Sequence, residues 1–101
     1  MLRHVVLIQL VTDDPEHPLD STAQALIDGL RALPRQIPEI RSYTVGRDLG
    51  LAPGNAHVAV LAEFDDAEAL QTYRDHPAHV DVVQRLIEPV STSRTAVQFE
   101  V

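Results

Sequence analysis

Apolar residues along the chain fall into runs of two different periods, separated by polar or proline-bearing breaks. Val5-Val6-Leu7-Ile8-Gln9-Leu10-Val11 is rich in β-branched residues and almost continuously apolar, as expected of a strand buried on both faces. Its period of two puts His4, Val6, Ile8 and Leu10 on one face and Val5, Leu7 and Gln9 on the other. Thr12-Asp13-Asp14-Pro15 ends the run, and a loop through His17-Pro18 follows. Ser21 with Gln24 three residues later has the spacing of a capping box, and Ala23, Leu26, Ile27, Leu30 and Leu33 then recur at helical spacing until Pro34.

Arg41 to Leu49 predicts a second, weaker strand with Tyr43, Val45 and Leu49 on one face, closed by the turn Gly50 to Asn55. His57 to Phe64 alternates cleanly, with Val58, Val60, Ala62 and Phe64 opposite His57, Ala59, Leu61 and Glu63. Asp65 with Glu68 predicts the start of a helix whose inward positions are Ala67, Leu70 and Tyr73. His76-Pro77 breaks this helix and starts another, because proline suits the first helical position. Its stripe is His79, Val80, Val83, Leu86 and Ile87. After Glu88-Pro89, the segment Arg94 to Val101 predicts a last strand with Thr95, Val97, Phe99 and Val101 on one face.

The order β-α-β-β-α-β in 101 residues predicts one α+β domain spanning 1–101, a ferredoxin-like subunit with an antiparallel sheet and helices on one face. The other face, to which Val5, Leu7, Ala59, Leu61 and Ala96 are assigned, is too apolar for water, and no segment remains to cover it. A homodimer is therefore expected, two sheets packing face to face into a dimeric α+β barrel.

Composition narrows the chemistry. Without cysteine there is no disulfide, thiolate metal site or cysteine nucleophile, in keeping with a cytoplasmic location. A formal charge of −7 disfavours nucleic acid and anionic membrane as partners. The N-terminal apolar run, only about seven residues long, is too short for a signal peptide core or a membrane span. No glycine-rich phosphate loop or Ser-His-Asp arrangement is present, and neither a metal nor a cofactor is expected.

The segment Tyr73-Arg74-Asp75-His76-Pro77-Ala78-His79-Val80 concentrates groups that move protons near neutral pH. His79 shares a helical face with Val83 and Leu86 and should point toward the sheet, while Tyr73 ends the preceding inward stripe. His4 projects from the first strand on the face expected beneath the helices. His76 has two readings, a cap for the helix that Pro77 starts and a substrate-binding group. An apolar cavity with a phenol and two or three imidazoles suits proton abstraction beside a carbonyl, with the phenol donating to the developing enolate. Each of these side chains also has a purely structural reading, as a buried ring satisfied by a backbone partner.

Arg3-His4-Val5-Val6-Leu7, Leu33 to Ile40, Glu63-Phe64, Tyr73 to Val80 and the closing Thr95-Ala96-Val97-Gln98-Phe99 together resemble the stress-responsive A/B barrel (Dabb) family from end to end. The resemblance implies a homodimer of ferredoxin-like subunits. Most of the family has no assigned reaction, and one plant member closes a polyketide ring by an aldol reaction through a Tyr-x-x-His-Pro-Ala-His segment. Tyr73 and His79 stand at its Tyr and final His, which implies His79 as general base and Tyr73 as its partner on the substrate oxygen. His4 matches the early-strand histidine of the family, a cavity residue. The expected function is thus a small homodimer, in its sharper form a cofactor-free cyclase or isomerase acting on a polyketide-like carbonyl compound. The alternatives are a non-enzymatic stress-response or small-ligand-binding dimer, and an interaction module whose interior is filled.

Overall fold

The computed structural model describes all 101 residues. Strand β1 (Leu2–Leu10) leads through a loop into helix α1 (Leu19–Arg31), a 3₁₀ turn (Leu33–Arg35), and strands β2 (Ser42–Arg47) and β3 (Val58–Phe64). Helix α2 (Ala67–Asp75) follows, then α3 (Pro77–Val82), which widens into one π-helical turn (Val83–Ile87) before strand β4 (Ser91–Glu100). The four strands form one antiparallel sheet in the order β2-β3-β1-β4, the ferredoxin-like arrangement that the β-α-β-β-α-β order predicts.

Register decides which side chains share a face. His4 pairs with Ala62 of β3 and Gln98 of β4, and Val6 with Val60 and Ala96. Directly paired residues project to the same side, so Leu2, His4, Val6, Ile8 and Leu10 lie beneath the helices with Val58, Val60, Ala62 and Phe64. Most of these are fully buried, against Ala23, Leu26, Ile27 and Leu30 of α1. Gly29 faces Leu86, and the missing Cβ lets α1 approach the π turn closely.

On the opposite face, Val5, Leu7, Ala59, Leu61, Val97 and Phe99 share one side of the sheet. Nothing in the chain covers that side: Leu7, Leu61, Val97 and Phe99 are 44%, 43%, 54% and 44% exposed.

Several local expectations shift. Ala96 does not belong to the open face; its pairing with Val6 puts it on the helix-bearing side of the sheet, exposed on the edge strand, and Val97 and Phe99 take the outer positions. Strand β2 ends at Arg47, so Leu49 lies in the loop, almost wholly exposed, and not beside Tyr43 and Val45. The loop turns where Gly50 and Gly54 adopt φ of 74° and 83°, values that favour glycine. Helix α1 begins before Ser21, whose hydroxyl donates to the Pro18 carbonyl, so the capping box does not form. Asp66, not Asp65, caps α2 by accepting from the Ala69 N–H at 2.8 Å. Asp65 is instead held by Arg41 through two hydrogen bonds. Ala67 is exposed in the first turn of α2. In α3, Val80 turns outward and Val82 is buried, whereas Val83, Leu86 and Ile87 of the expected stripe pack inward. No helix is long and apolar enough to cross a membrane.

Candidate functional site

Between the sheet and the second helical region lies a cavity of about 240 Å3, lined from β1 by His4, Val6 and Ile8 and from the helices by Tyr73, Arg74, His79, Val83 and Ile87. Strand β4 contributes Arg94 and Ala96 at its edge. Two breaks in helical regularity shape it. Pro77 cannot donate a backbone hydrogen bond, so α2 stops and α3 restarts at a new angle, bringing Tyr73 and His79 ring to ring at 4.3 Å between centroids. The π turn, in which the Glu88 N–H donates to the Val83 carbonyl at 2.8 Å, presents both Val83 and Ile87 to the cavity.

His79 is half-buried, and its Nδ1 lies 3.1 Å from the Arg74 carbonyl. A carbonyl only accepts, so Nδ1 carries the proton and Nε2 is left as a free lone pair. Burial lowers the pKa of His79 from its ordinary value, and the positive charges of Arg74 and Arg94 act in the same sense; the bond to the Arg74 carbonyl opposes them by favouring the imidazolium. The net direction is down, so the ring is neutral at pH 7.

Tyr73 is almost fully buried, and its hydroxyl lies 2.8 Å from that of Tyr43 on β2. Burial raises the pKa of Tyr73, against the bond from Tyr43 and the charge of Arg74, so the phenol stays protonated. Tyr43 is driven upward still more strongly, chiefly by burial. His4 packs edge-on against Phe64 and Tyr73, and Gln98 of β4 lies 2.9 Å from its Nδ1. The amide nitrogen of Gln98 donates, so the His4 proton sits on Nε2. Burial, with Arg74 and His79 contributing, lowers the His4 pKa to about 4.

A stability prediction follows from His4. Its folded-state pKa lies below the ordinary imidazole value, so the unfolded chain binds the extra proton first. This contribution is full above about pH 6.5 and is lost as the pH falls toward 4. His4→Gln is expected to flatten the acid limb of a urea-unfolding series between those pH values by about 1–2 kcal/mol, discounted because the cavity admits water. Parallel wild-type and variant curves would exclude it.

Of the four side chains expected at the site, three converge on the cavity: His4, Tyr73 and His79. His76 does not line it. Its Nδ1 accepts from the Ala78 N–H at 3.0 Å and caps α3, because Pro77 holds it extended just outside the helix. Outside the cavity, the His57 Nδ1 accepts from the Leu10 N–H and ties β1 to β3, and His17 binds Asp14. No group of three His, Cys, Asp or Glu side chains is placed to hold a metal ion. Sequence reasoning missed Tyr43, Arg74, Arg94 and Gln98. The alternation of β4 does put Arg94, Ala96 and Gln98 on one face, but only the register with β1 shows that this face meets His4.

Comparisons with known proteins agree with this architecture. An uncharacterized protein of Streptomyces coelicolor is 33% identical over 79 residues, covering 78% of this chain and 79% of that protein. A dimeric ferredoxin-like protein of unknown function from Thermobifida fusca is similar in structure, with a TM-score of 0.83 and 37% identity over 99% of this chain and 90% of that one. A dimeric protein of unknown function and ferredoxin-like fold from Bacteroides fragilis superposes with a TM-score of 0.87 at 29% identity, covering 99% of this chain and 95% of that one. Residues 2–101 match the pattern described as the Stress responsive A/B Barrel Domain, and with its fold and relatives in agreement the chain belongs to that family.

Proposed function

We propose that the chain forms a homodimer and that each subunit binds a small apolar carbonyl compound, on which His79 and Tyr73 perform cofactor-free acid–base chemistry of the ring-closing or isomerising kind. The observation that carries this reading is the neutral His79 ring, its Nε2 lone pair free, packed at a tilt against a protonated phenol at the wall of an apolar cavity. The match of Tyr73 and His79 to the Tyr-x-x-His-Pro-Ala-His segment of a ring-closing family member supports it.

In this mechanism Nε2 of His79 takes a proton from the carbon between two carbonyls, and the electron pair moves onto the carbonyl oxygen. Tyr73 donates a hydrogen bond to that oxygen as its charge develops. The Tyr43 and Tyr73 hydroxyls are hydrogen-bonded; with Tyr43 as the donor the Tyr73 proton is free for the substrate, and the two hydroxyls polarise one another. The enolate carbon then attacks a second carbonyl of the same molecule, and imidazolium His79 protonates the alkoxide formed. Burial in an apolar wall strengthens each of these interactions relative to water.

Ring closure of a linear poly-β-ketone, followed by absorbance of the cyclic product, tests the reading. Tyr73→Phe is expected to lower kcat by about 10², the scale of losing one oxyanion donor. Tyr43→Phe should cost less, since it acts only through Tyr73. Full activity in Tyr73→Phe would remove the phenol from the mechanism.

The open sheet face is the proposed dimer interface, since Leu7, Leu61, Val97 and Phe99 form an exposed apolar patch and the similar Thermobifida and Bacteroides proteins are dimeric.

A further inference from the structure

The chain holds eight arginines, no lysine and fifteen acidic residues, so an unpaired cation is uncommon in it. Arg3, Arg41, Arg47 and Arg85 each pair with a carboxylate, and Arg31 donates to the Val45 carbonyl. Of the three left without a partner, Arg35, Arg74 and Arg94, two line the same cavity. They come from different elements, Arg74 from the last turn of α2 and Arg94 from the edge strand β4. No acidic side chain lines that cavity, although acidic residues outnumber basic ones across the chain. Both arginines are exposed, with their heads in water at the rim, while the interior is Val6, Ile8, Leu30, Val60, Val83 and Ile87.

A cavity with an apolar floor and two uncommitted guanidinium groups at its mouth is complementary to an amphipathic anion. We propose that the ligand is a small apolar carboxylic acid, its carbon skeleton among the aliphatic side chains and its carboxylate between Arg74 and Arg94. The proposal rests on the reading of the cavity as a ligand site and adds the substrate class. It also gives a direction of binding. Arg74 and His79 line the same cavity, so a carboxylate anchored at Arg74 leaves its carbon skeleton beside the His79 base. A volume of about 240 Å3 lies below the range of roughly 300–1,000 Å3 usual for drug-sized ligands, which limits the acid to a small one.

Isothermal titration of the full chain with octanoate and with octanamide, near-isosteric probes that differ in charge, tests the proposal. Octanoate is expected to bind about tenfold more tightly at low salt. Arg74→Gln with Arg94→Gln should abolish that preference while octanamide still binds, which also shows that the double variant is folded. Salt near 1 M should narrow the gap in the wild type. Equal affinity for the two probes, or a preference that survives the double substitution, would overturn the carboxylate assignment and leave the cavity as a neutral-ligand site. Binding of neither probe would take the cavity reading down with it.

Discussion

His79→Ala is expected to lower kcat for closure of a linear poly-β-ketone by about 10² to 10⁴, the range supplied by one positioned general base. The ring does more than offer a lone pair. Its Nδ1 proton is committed to the Arg74 carbonyl, which holds Nε2 unprotonated. Burial in an apolar wall then removes the competing imidazolium form, with Arg74 and Arg94 working in the same direction. Activity in the wild type should therefore rise with pH through a value below the ordinary imidazole pKa and be level by pH 7. His79→Gln can still donate to the Arg74 carbonyl but cannot act as the base, so it should fold normally and remain inactive. If it kept wild-type kcat with an unchanged pH profile, His79 would be a structural ring and the cavity a binding site only.

Leu61→Glu is expected to turn the dimer into a monomer. Leu61 lies in the outer face of β3, with Leu7, Val97 and Phe99 nearby on the same side of the sheet. Covering such a leucine contributes about 1.5–3 kcal/mol, and the substitution removes this twice per dimer. It also sets two carboxylates in a dry interface, which adds several kcal/mol. Dissociation should rise by more than a thousandfold, since each 1.4 kcal/mol is a factor of ten. Analytical ultracentrifugation at micromolar concentration reads it directly. A wild type that sediments as one chain, or a Leu61→Glu protein that sediments as two, would remove the open face as the interface. The cavity lies on the opposite side of the sheet, so ligand binding by the monomer would show whether the site is complete within one subunit.

Element type was legible because it depends on local periodicity. The apolar run at Val5 to Val11, the stripe Ala23, Leu26, Ile27, Leu30, Leu33, and the alternation from His57 to Phe64 each carry a period that only one backbone conformation can bury. The proline at 77 marked the break between α2 and α3, and with it the approach of Tyr73 to His79. Boundaries were less legible where two residues of the same kind compete. Asp65 and Asp66 are both good caps, and the choice fell to Asp66 because Arg41, 24 residues away in sequence, holds Asp65.

Local pattern established the strands, the helices, the two-sided apolarity of β1 and the clustering of imidazoles around Pro77. What it left open was register, the relation between strands distant in the chain. Pairing Val6 with Ala96 put Ala96 on the helix-bearing side of the sheet, moved Val97 and Phe99 to the open face, and set Gln98 against His4 and Arg94 at the cavity rim. Sliding β4 by one residue against β1 would exchange all of these positions, and nothing within β4 itself opposes that slide. The same holds for Tyr43, whose hydroxyl meets Tyr73 only because β2 pairs with β3. Short-range order resides in neighbouring residues, whereas a site assembled from five segments requires the packed sheet to choose among alignments that each strand alone permits equally.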